Sequence, residues 1–365
     1  MSGTYTVIVM NKLGYRLFCG LMAVVLAGCG GSSGGHSGSS VTPRYRIAST
    51  VPPNQIINFE AGIDNTGTVD LVGMEVDNLG NPLSVTAFIN GSLVSLPLPP
   101  SGVQLGLILP GGTKGTSSWW PCQVAGEPGG SIVWDLSNPK AKPVQIAGFD
   151  VVAVRPDGEM AIGYDLKSRN VEYCDTQGHT SSFAIPNGVM EFAPSCINMK
   201  NQVAGLGFTS SGSACYLSDG LGGGTLLQGT QVKNSDPFAP NYQVESINSA
   251  GDSTGSSSTP GYAAGACWSP SGQLTVLKQT SSSTPPDPIY ISDDDEIFGD
   301  GSQSFPTSNP ALVWPSPGAA PLAIASLCTG RQVPDFIGVE AVSSNGRNLV
   351  VNDTSGNIYI LERTN

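Results

Sequence analysis

Charge and histidine are scarce in this sequence. Only 12% of its 365 residues are charged, about half the usual share of a soluble domain, and its two histidines are His36 and His179. A Ser-His-Asp site would depend on His179 alone, and lone histidines are usually incidental. The 16 basic residues are outnumbered by 28 acidic ones. This balance argues against nucleic acid as a partner, because phosphate binding needs a basic surface.

Motifs for cofactors and metals are also lacking. No glycine-rich phosphate loop opens a helix, and no two cysteines form the CxxC pair that often binds zinc. We therefore predict no catalytic residue, no cofactor and no metal. With 39% hydrophobic residues, 47 glycines and 28 prolines, the chain can bury a core but turns often. This composition favours many short strands over long helices.

Residues 1–28 have the form of a targeting segment. Two basic residues precede an apolar run of 11 residues, 17–27, which is too short to span a bilayer. The sequence LAGC that ends at Cys29 resembles the lipobox of bacterial lipoproteins, in which the cysteine is acylated and becomes the new N-terminus. That resemblance implies a lipid anchor at Cys29. An ordinary secretory signal is the alternative, and Met10 is an alternative start.

Residues 29–43 are predicted to be a tether between the anchor and a domain formed by residues 44–365. Their Gly/Ser composition is typical of a flexible coil. Gly30 is not the Asp that favours inner-membrane retention of enterobacterial lipoproteins, so the resemblance implies the outer membrane of a bacterial cell envelope, facing the periplasm or the medium. Removal of residues 1–28 changes the net charge from −12 to −14.

Eight cysteines are present, of which Cys19 lies in the targeting segment and Cys29 at the lipidation site. The remaining six are Cys122, Cys174, Cys196, Cys215, Cys267 and Cys328. An even number of cysteines in an oxidising compartment can form up to three disulfides. The sequence does not choose among the pairings.

One short phrase recurs seven times, about 46 residues apart. It consists of Ile or Val, a polar residue, two more residues, and Gly, Asn or Asp in fifth place, as in Ile197–Asn201 and Ile247–Gly251. The seven copies start at positions 63, 108, 154, 197, 247, 291 and 342, the second being the weakest. The acidic run Asp293–Glu296 belongs to the sixth copy, so we interpret it as a turn and not as a calcium loop.

A second phrase trails each start and combines a small residue, apolar residues, an aromatic residue and a turn with glycine. It begins at Ala87, Ser131, Ser182, Ala214, Ala266, Ala311 and, as NIYIL, Asn357. The polar residues and glycine suit tight hairpin turns, while Val, Ile, Phe and Trp favour strands. Each unit is therefore predicted to be a four-stranded antiparallel blade.

Four-stranded units of this length predict an all-β fold, a β-propeller of seven blades. The last unit lacks a fourth strand, so we expect residues 44–50 to complete it and close the ring. Six or eight blades, two β-sandwiches or a β-solenoid are the alternatives. The phrases resemble the HAF-type extracellular repeats of bacterial proteins over about residues 56–362, which implies an exported repeat protein without catalytic residues to transfer.

The binding surface is predicted on the side of the ring that carries the variable loops, because function often lies in loops on a rigid scaffold. The candidate residues there are Trp119, Trp120, Lys167, Arg169, Phe238 and Tyr262. The two tryptophans are adjacent, so in a strand they would face opposite ways. An exposed indole would bind a sugar or a protein, whereas burial of both side chains between blades one and two is the alternative and is slightly favoured.

Three functions are compatible with these observations. The leading hypothesis is a lipid-anchored, non-enzymatic platform that binds a partner protein or an envelope glycan. The second is a secreted carbohydrate-active enzyme, a glycoside hydrolase or lyase, with carboxylates at the channel mouth. The third is a structural spacer at the cell surface. Buried carboxyls of raised pKa close together at the mouth would favour the enzyme.

Overall fold

Seven small antiparallel sheets form a ring, which is a seven-bladed β-propeller. The computed structural model describes residues 42–51, 59–67, 69–76, 82–89, 91–100, 103–105, 113–114, 117–124, 129–233, 242–257, 264–279, 287–300, 310–330 and 332–365. The predicted fold class and blade number are confirmed. The lipobox with Cys29, the tether, and the weak second copy of the repeat at Ile108–Gly112 lie outside these residues.

The first strand, β1 (Tyr45–Val51), belongs to the last blade and is described with it below. Blade one consists of β2 (Phe59–Ile63), β3 (Val69–Val76), β4 (Pro82–Ile89) and β5 (Ser92–Ser95). Blade two consists of β6 (Val103–Leu105), β7 (Thr113–Lys114), β8 (Ser117–Val124), β9 (Gly130–Asp135) and β10 (Val144–Ala147). Both β6 and β7 pair with β8, so they form the innermost part of that blade together.

The next two blades follow the same plan. Blade three consists of β11 (Phe149–Val154), β12 (Met160–Asp165), β13 (Val171–Asp175) and β14 (Thr180–Ser182). Blade four consists of β15 (Glu191–Ile197), β16 (Val203–Thr209), β17 (Gly212–Ser218) and β18 (Gly224–Leu226), with β19 (Val232–Lys233) added on β17.

The last three blades complete the ring. Blade five consists of β20 (Tyr242–Ile247), β21 (Ser253–Ser257), β22 (Gly265–Trp268) and β23 (Leu274–Val276). Blade six consists of β24 (Asp287–Ile291), β25 (Ile297–Asp300), β26 (Ala311–Trp314) and β27 (Leu322–Ala323), followed by the four-residue helix α1 (Ile324–Leu327). Blade seven consists of β28 (Phe336–Val342), β29 (Asn348–Asp353) and β30 (Ile358–Arg363), with β1 as its fourth strand.

The ring closes through its N-terminal strand, as the sequence predicted. Strand β1 pairs antiparallel with β30, in a register that places Tyr45 opposite Arg363 and Val51 opposite Ile358. The last blade therefore contains strands from both ends of the domain, and neither end leaves an unpaired blade. Among the described residues, no helix is long and apolar enough to cross a membrane.

The hydrophobic core is divided among the interfaces between blades. Seven clusters of buried side chains occur among the described residues, and each joins one blade to the next around the ring. The cluster between blades seven and one, for example, contains Val51, Val350 and Ile358 from one side and Leu71 and Phe88 from the other. This arrangement explains why the unit repeats, since a single blade cannot cover its own faces.

The tryptophans of the second phrase explain why an aromatic residue recurs in the third strand. Trp134, Trp268 and Trp314 are buried. Each donates its indole N–H, at 2.9 Å, to a carbonyl oxygen that follows the outer strand of the preceding blade. The three acceptors belong to Pro97, Gln228 and Lys278. The indole thus fills an interface and also satisfies its own polar atom.

Blade three departs from the predicted assignment of the second phrase. The phrase at Ser182 was expected to form a third strand, but Ser182 ends the fourth strand, β14. The third strand is β13, and its buried Tyr173 is the aromatic residue of this blade. Phe183 packs edge-on against Tyr173, which explains why an aromatic residue follows β14 as well.

Candidate functional site

The two faces of the ring are defined by their connections. The turn face carries the turns from the first to the second strand of each blade and from the third to the fourth. The loop face carries the connections from the second to the third strand and those between blades. First strands of successive blades contact one another, so they surround the central channel, and the turns that follow them form its mouth on the turn face.

The first phrase of the repeat forms these turns at the mouth. Its fifth residue has a positive φ in every described copy. These residues are Gly67, Gly158, Asn201, Gly251, Asp295 and Gly346, with φ between 60° and 98°. Gly and Asn or Asp are the residues that adopt this conformation most readily. The structure therefore confirms that Asp293–Glu296 belongs to a turn, in which Asp295 is the left-handed residue.

The polar second residue of the phrase closes the turn with its side chain. The Oδ1 atom of Asn248 accepts hydrogen bonds from the backbone N–H groups of Ala250, Gly251 and Asp252. Asn198 does the same for Lys200 and Gln202 in the preceding blade. These are side-chain-to-backbone bonds of the kind that favours Asn in turns.

The same asparagines also join neighbouring blades. Asn198 Nδ2 donates to the carbonyl oxygen of Asn248 at 2.9 Å, and Asn248 Nδ2 donates to that of Ser292 at 3.1 Å. Asp293 N–H then donates to Ser344 O at 2.6 Å, and Asn348 Nδ2 donates to Asp64 O at 3.3 Å. From blade four through seven to blade one, the mouth is therefore held by blade-to-blade hydrogen bonds.

Blades two and three are joined to this arrangement by two other side chains. Trp119 donates its indole N–H to Gly158 O at 2.9 Å, which links blade two to the turn of blade three. Arg155 Nη1 donates to Asn201 Oδ1 at 3.0 Å, which links blade three to blade four. Each of the six described turns is thus hydrogen-bonded to a neighbouring blade, so the turns form a preformed mouth.

A cavity of about 430 Å³ lies at this mouth. It is lined by residues from six blades: Ile63, Asp64, Asn65, Thr66, Pro156, Asp157, Asn198, Met199, Ser246, Ile247, Asn248, Ser249, Tyr290, Ile291, Asp293, Val342 and Ser344. A cavity of this size is in the range of small-ligand sites. Most of its lining comes from the first phrase, so the repeat that forms the blades also forms the cavity.

Three carboxylates lie in the lining. Asp64 Oδ1 accepts from the N–H of Thr66 at 2.8 Å, and Asp293 Oδ1 accepts from the N–H of Ser249 at 2.8 Å. Asp157 forms an ion pair with Arg155 at 2.8 Å. The carboxylates are thus fixed in direction by the turns that carry them.

A buried ion pair lies behind the mouth. Arg363, at the end of β30, contacts Glu296 of blade six at 2.9 Å, and the two side chains are only 8% and 4% exposed. Burial raises the pKa of Glu296, and the Arg363 guanidinium opposes that shift. The pair bridges blades six and seven beside the closing strand β1, so it stabilises the closure of the ring.

The two adjacent tryptophans do not lie on an exposed binding face. Trp119 and Trp120 lie in strand β8 and are 0% and 2% exposed. Trp120 packs in the interface between blades one and two, and Trp119 in the interface between blades two and three. Consecutive strand residues face opposite ways, and in a blade both faces are buried. The expected burial is therefore confirmed, but only Trp120 lies between blades one and two as expected, because Trp119 lies between blades two and three.

Two of the other four predicted binding residues belong to the part of the chain that the structure describes. Lys167 and Arg169 are exposed in the connection between β12 and β13, on the loop face as expected. Phe238 and Tyr262 lie outside the described residues. His179 is exposed and contacts Asp175 at 2.9 Å in the turn after β13. Lys167, Arg169 and His179 do not line the cavity, which lies on the opposite face from the predicted one.

The six cysteines of the domain are free thiols, so the suggested disulfides are not formed. Cys122, Cys174, Cys267 and Cys328 belong to four different interfaces. Cys196 and Cys215 share one interface, but they lie on β15 and β17, with β16 between them. Two strands that flank a third are about 10 Å apart, whereas a disulfide requires Cα atoms within about 7 Å.

The cavity itself was missed from the sequence. Its signal was present in the first phrase, where an aliphatic residue and a polar residue precede each turn at the same end of the innermost strand. Among the described residues, no group of three His, Cys, Asp or Glu side chains is arranged to hold a metal ion.

Comparison with known proteins identifies no family. No protein-family model matches the sequence, and no significant match is found among curated proteins. Similar solved structures include a virginiamycin B lyase from Staphylococcus aureus, with 13% identity over 87% of this chain and 99% of that one and a TM-score of 0.48. A chain of a mitotic checkpoint complex has 12% identity over 94% and 99%, with a TM-score of 0.48. A streptogramin B lyase has 11% identity over 88% and 98%, with a TM-score of 0.45. At such identities and TM-scores these similarities assign neither a family nor an activity to this chain.

Proposed function

We propose that this protein is a lipid-anchored component of a bacterial cell envelope, on the outer membrane, whose propeller binds a partner protein or an envelope glycan without catalysing a reaction. The observation that carries the proposal is the preformed cavity at the turn-face mouth, ringed by turns from six blades and held by blade-to-blade hydrogen bonds. A rigid site of this kind needs little reordering on binding, which favours affinity.

The start of strand β1 gives a second argument for a binding site on the turn face. Strand β1 begins on the turn face, where β30 ends. A tether in residues 29–43 that leads to a lipidated Cys29 therefore joins the domain on the side of the mouth. A coil of 14 residues, 30–43, has a root-mean-square length of about 20 Å, so the mouth lies within reach of the envelope surface.

The distribution of buried carboxyls gives the enzyme hypothesis no support. Burial raises the pKa of Asp150, against the effect of Arg169, and also that of Glu296. Asp150 lies near the start of β11, at the loop-face end of the channel, whereas Glu296 lies on the turn face and is paired with Arg363. These two carboxyls are thus at opposite ends of the channel and cannot act as an acid/base pair.

The proposal is tested by photo-crosslinking in intact cells that express the full chain. Met199 and Met190 are exposed residues at opposite ends of β15, on the turn face and the loop face respectively. Each is replaced in turn by a photo-reactive amino acid. We expect a discrete adduct from position 199 and none from position 190. An adduct from position 190 alone would move the binding site to the loop face, and no adduct from either would contradict a binding platform.

A further inference from the structure

Four aliphatic residues form the inner part of the cavity at the turn-face mouth. Ile63, Ile247, Ile291 and Val342 each end the first strand of a blade, and the turns of the mouth follow them. The three isoleucines are at most 8% exposed, and each also belongs to a cluster between two blades. Packing on their other sides fixes their positions, so the inner lining is apolar and rigid.

The two buried amides of the lining are fully engaged within the protein. Asn248 Nδ2 donates to Ser292 O and to Asp295 Oδ1, both at 3.1 Å. Asn198 Nδ2 donates to Asn248 O and to Gln202 Oε1, both at 2.9 Å. A side-chain amide has two N–H donors, so both amides have used theirs. Each amide oxygen also accepts at least two backbone N–H groups.

The carboxylates of the lining are engaged as well. Both oxygens of Asp157 accept from Arg155 at 2.8 Å. Asp64 Oδ1 accepts from the N–H and the hydroxyl of Thr66, and Asp293 Oδ1 accepts from a backbone N–H of blade five. A sugar binds through hydroxyl groups, which need donors and acceptors that are turned toward them. These amides and carboxylates are instead committed to the mouth itself, so the surface that the cavity offers a ligand is mainly apolar.

Apolar contact continues to the opening on one side of the mouth. Met199 lines the cavity from the turn of blade four and is 43% exposed. Pro156 lines it from the turn of blade three. A methionine side chain is flexible and adapts to the shape of an apolar partner. Met199 can therefore cover a group that has entered the cavity.

The described lining also shows that the cavity is shallow. In blades one and seven it includes only the last residue of the first strand, Ile63 and Val342. In blades five and six it includes the last two, residues 246–247 and 290–291. Two strand residues span about 7 Å. That depth suits one side chain, whereas a long acyl chain needs a deeper tunnel.

From these contacts we propose that the mouth binds an aliphatic side chain, such as that of leucine, presented by a partner protein. The side chain lies against the inner aliphatic residues and Met199, and its burial drives binding without any new hydrogen bond. This inference rests on the proposed function, because it takes the mouth as the binding site. It selects a protein over a glycan as the ligand.

Binding is measured by ligand-observed NMR on the full chain in lipid nanodiscs, with empty nanodiscs as the blank. The probes are Ac-Gly-Leu-Gly-NH2, Ac-Gly-Asn-Gly-NH2, hexanol and the neutral disaccharide diacetylchitobiose. We expect the leucine peptide to bind at least about tenfold more tightly than the asparagine peptide, because asparagine has a similar shape but lacks the apolar surface. Equal binding of the two peptides would overturn the inference. Tighter binding of hexanol or of the disaccharide than of the leucine peptide would identify an acyl-chain or a glycan site and would also overturn it.

Substitutions of two exposed methionines locate the binding. Met199→Asp places a carboxylate beside the bound leucine, and we expect the affinity for the leucine peptide to fall at least about fivefold, because the charge loses water there. Met199→Leu keeps the apolar contact and is expected to retain the affinity. Met190→Asp is the matched control, since Met190 is 66% exposed at the loop-face end of β15. An equal loss in Met190→Asp, or no loss in Met199→Asp, would contradict binding at the mouth.

The ligand class and the binding platform fail in different ways. If position 199 crosslinks to a partner in cells but the leucine peptide does not bind, the platform stands and the aliphatic ligand is wrong. If neither position 199 nor position 190 forms an adduct, the platform itself is contradicted, whatever the peptides do.

Discussion

The turn face and the loop face of this propeller are built by different rules. On the turn face, the described turns from the first to the second strand have the same length from blade three onward, and each has a left-handed residue in fifth place of the phrase. Side chains such as Asn198 and Asn248 also donate hydrogen bonds to the next blade. On the loop face, the described connections vary from two residues between β16 and β17 to the segment with helix α1 between blades six and seven. The repeated sequence therefore produces one regular mouth, and the cavity lies there.

The largest loss of stability is expected from a substitution in the interfaces between blades, which both faces share. Trp120→Ala removes a fully buried indole between blades one and two, and we expect it to lower the free energy of unfolding by about 3–5 kcal/mol. Leu221→Ala is the control, because Leu221 is 87% exposed and a surface change of this kind costs within about 0.5 kcal/mol. Urea denaturation compares the two. Equal losses would mean that the interfaces do not hold the ring together.

The next largest loss of stability is expected when a buried ion pair on the turn face is broken, in comparison with an exposed ion pair. Arg363→Met leaves Glu296 without its partner, and loss of one member of a buried pair costs about 3 kcal/mol or more. Arg46→Met breaks the pair with Glu362, whose side chains are 61% and 44% exposed, and exposed pairs contribute about 0–1 kcal/mol. Thermal unfolding of both variants checks the difference. A larger loss for Arg46→Met would contradict the role of Glu296 and Arg363 in closing the ring.

A direct comparison of the two faces uses one turn from each. Asn248→Ala removes bonds within its own turn and to blade six, and we expect a loss of about 2 kcal/mol because buried polar groups are left without partners. Asp165→Ala removes bonds to Lys167 and Ser168 within one loop-face connection, and we expect a loss of about 0.5–1 kcal/mol. Chemical denaturation tests the order of the two values. The reverse order would mean that the turn face is not the more tightly held one.

The smallest expected effect is a difference between the two faces in how stability depends on pH. The backbone N–H of Ser168 lowers the pKa of Asp165, so its contribution to stability is present above the usual Asp pKa of about 4 and is lost as the pH falls through the lowered value. Glu296 works in the opposite direction, because its raised pKa makes its contribution decline as the pH rises. We expect Asp165→Asn to lose less stability than the unaltered protein between pH 7 and about pH 3. A steeper loss would reverse the assigned sign.

Much of the fold could be predicted because its chemistry is local. A turn that needs a left-handed residue restricts the fifth position to Gly, Asn or Asp, as at Asn201 and Gly251, and this restriction is visible in the sequence. The closure by β1 was predictable for a similar reason, since the last unit lacked one strand and the first lacked none. The assignment at Ser182 was wrong because two aromatic residues, Tyr173 and Phe183, flank the same turn and pack together.

The site was harder to predict because it depends on contacts between blades. Spacing alone places Trp119 and Trp120 on opposite sides of a strand, but only packing shows that blades cover both sides. The spacing of residues in the sequence also carries no information on the shape of the channel. It therefore did not show that Ile63, Ile247 and Ile291 line a cavity on the turn face. The expectation that function follows the variable loops directed attention to Lys167 and Arg169, on the other face.

The most direct test of the central claim, that the turn-face mouth is the binding site, is the comparison of photo-crosslinks from positions 199 and 190 in intact cells that express the full chain. The account predicts a discrete adduct from position 199, on the turn face, and none from position 190, on the loop face. An adduct from position 190 alone would contradict it.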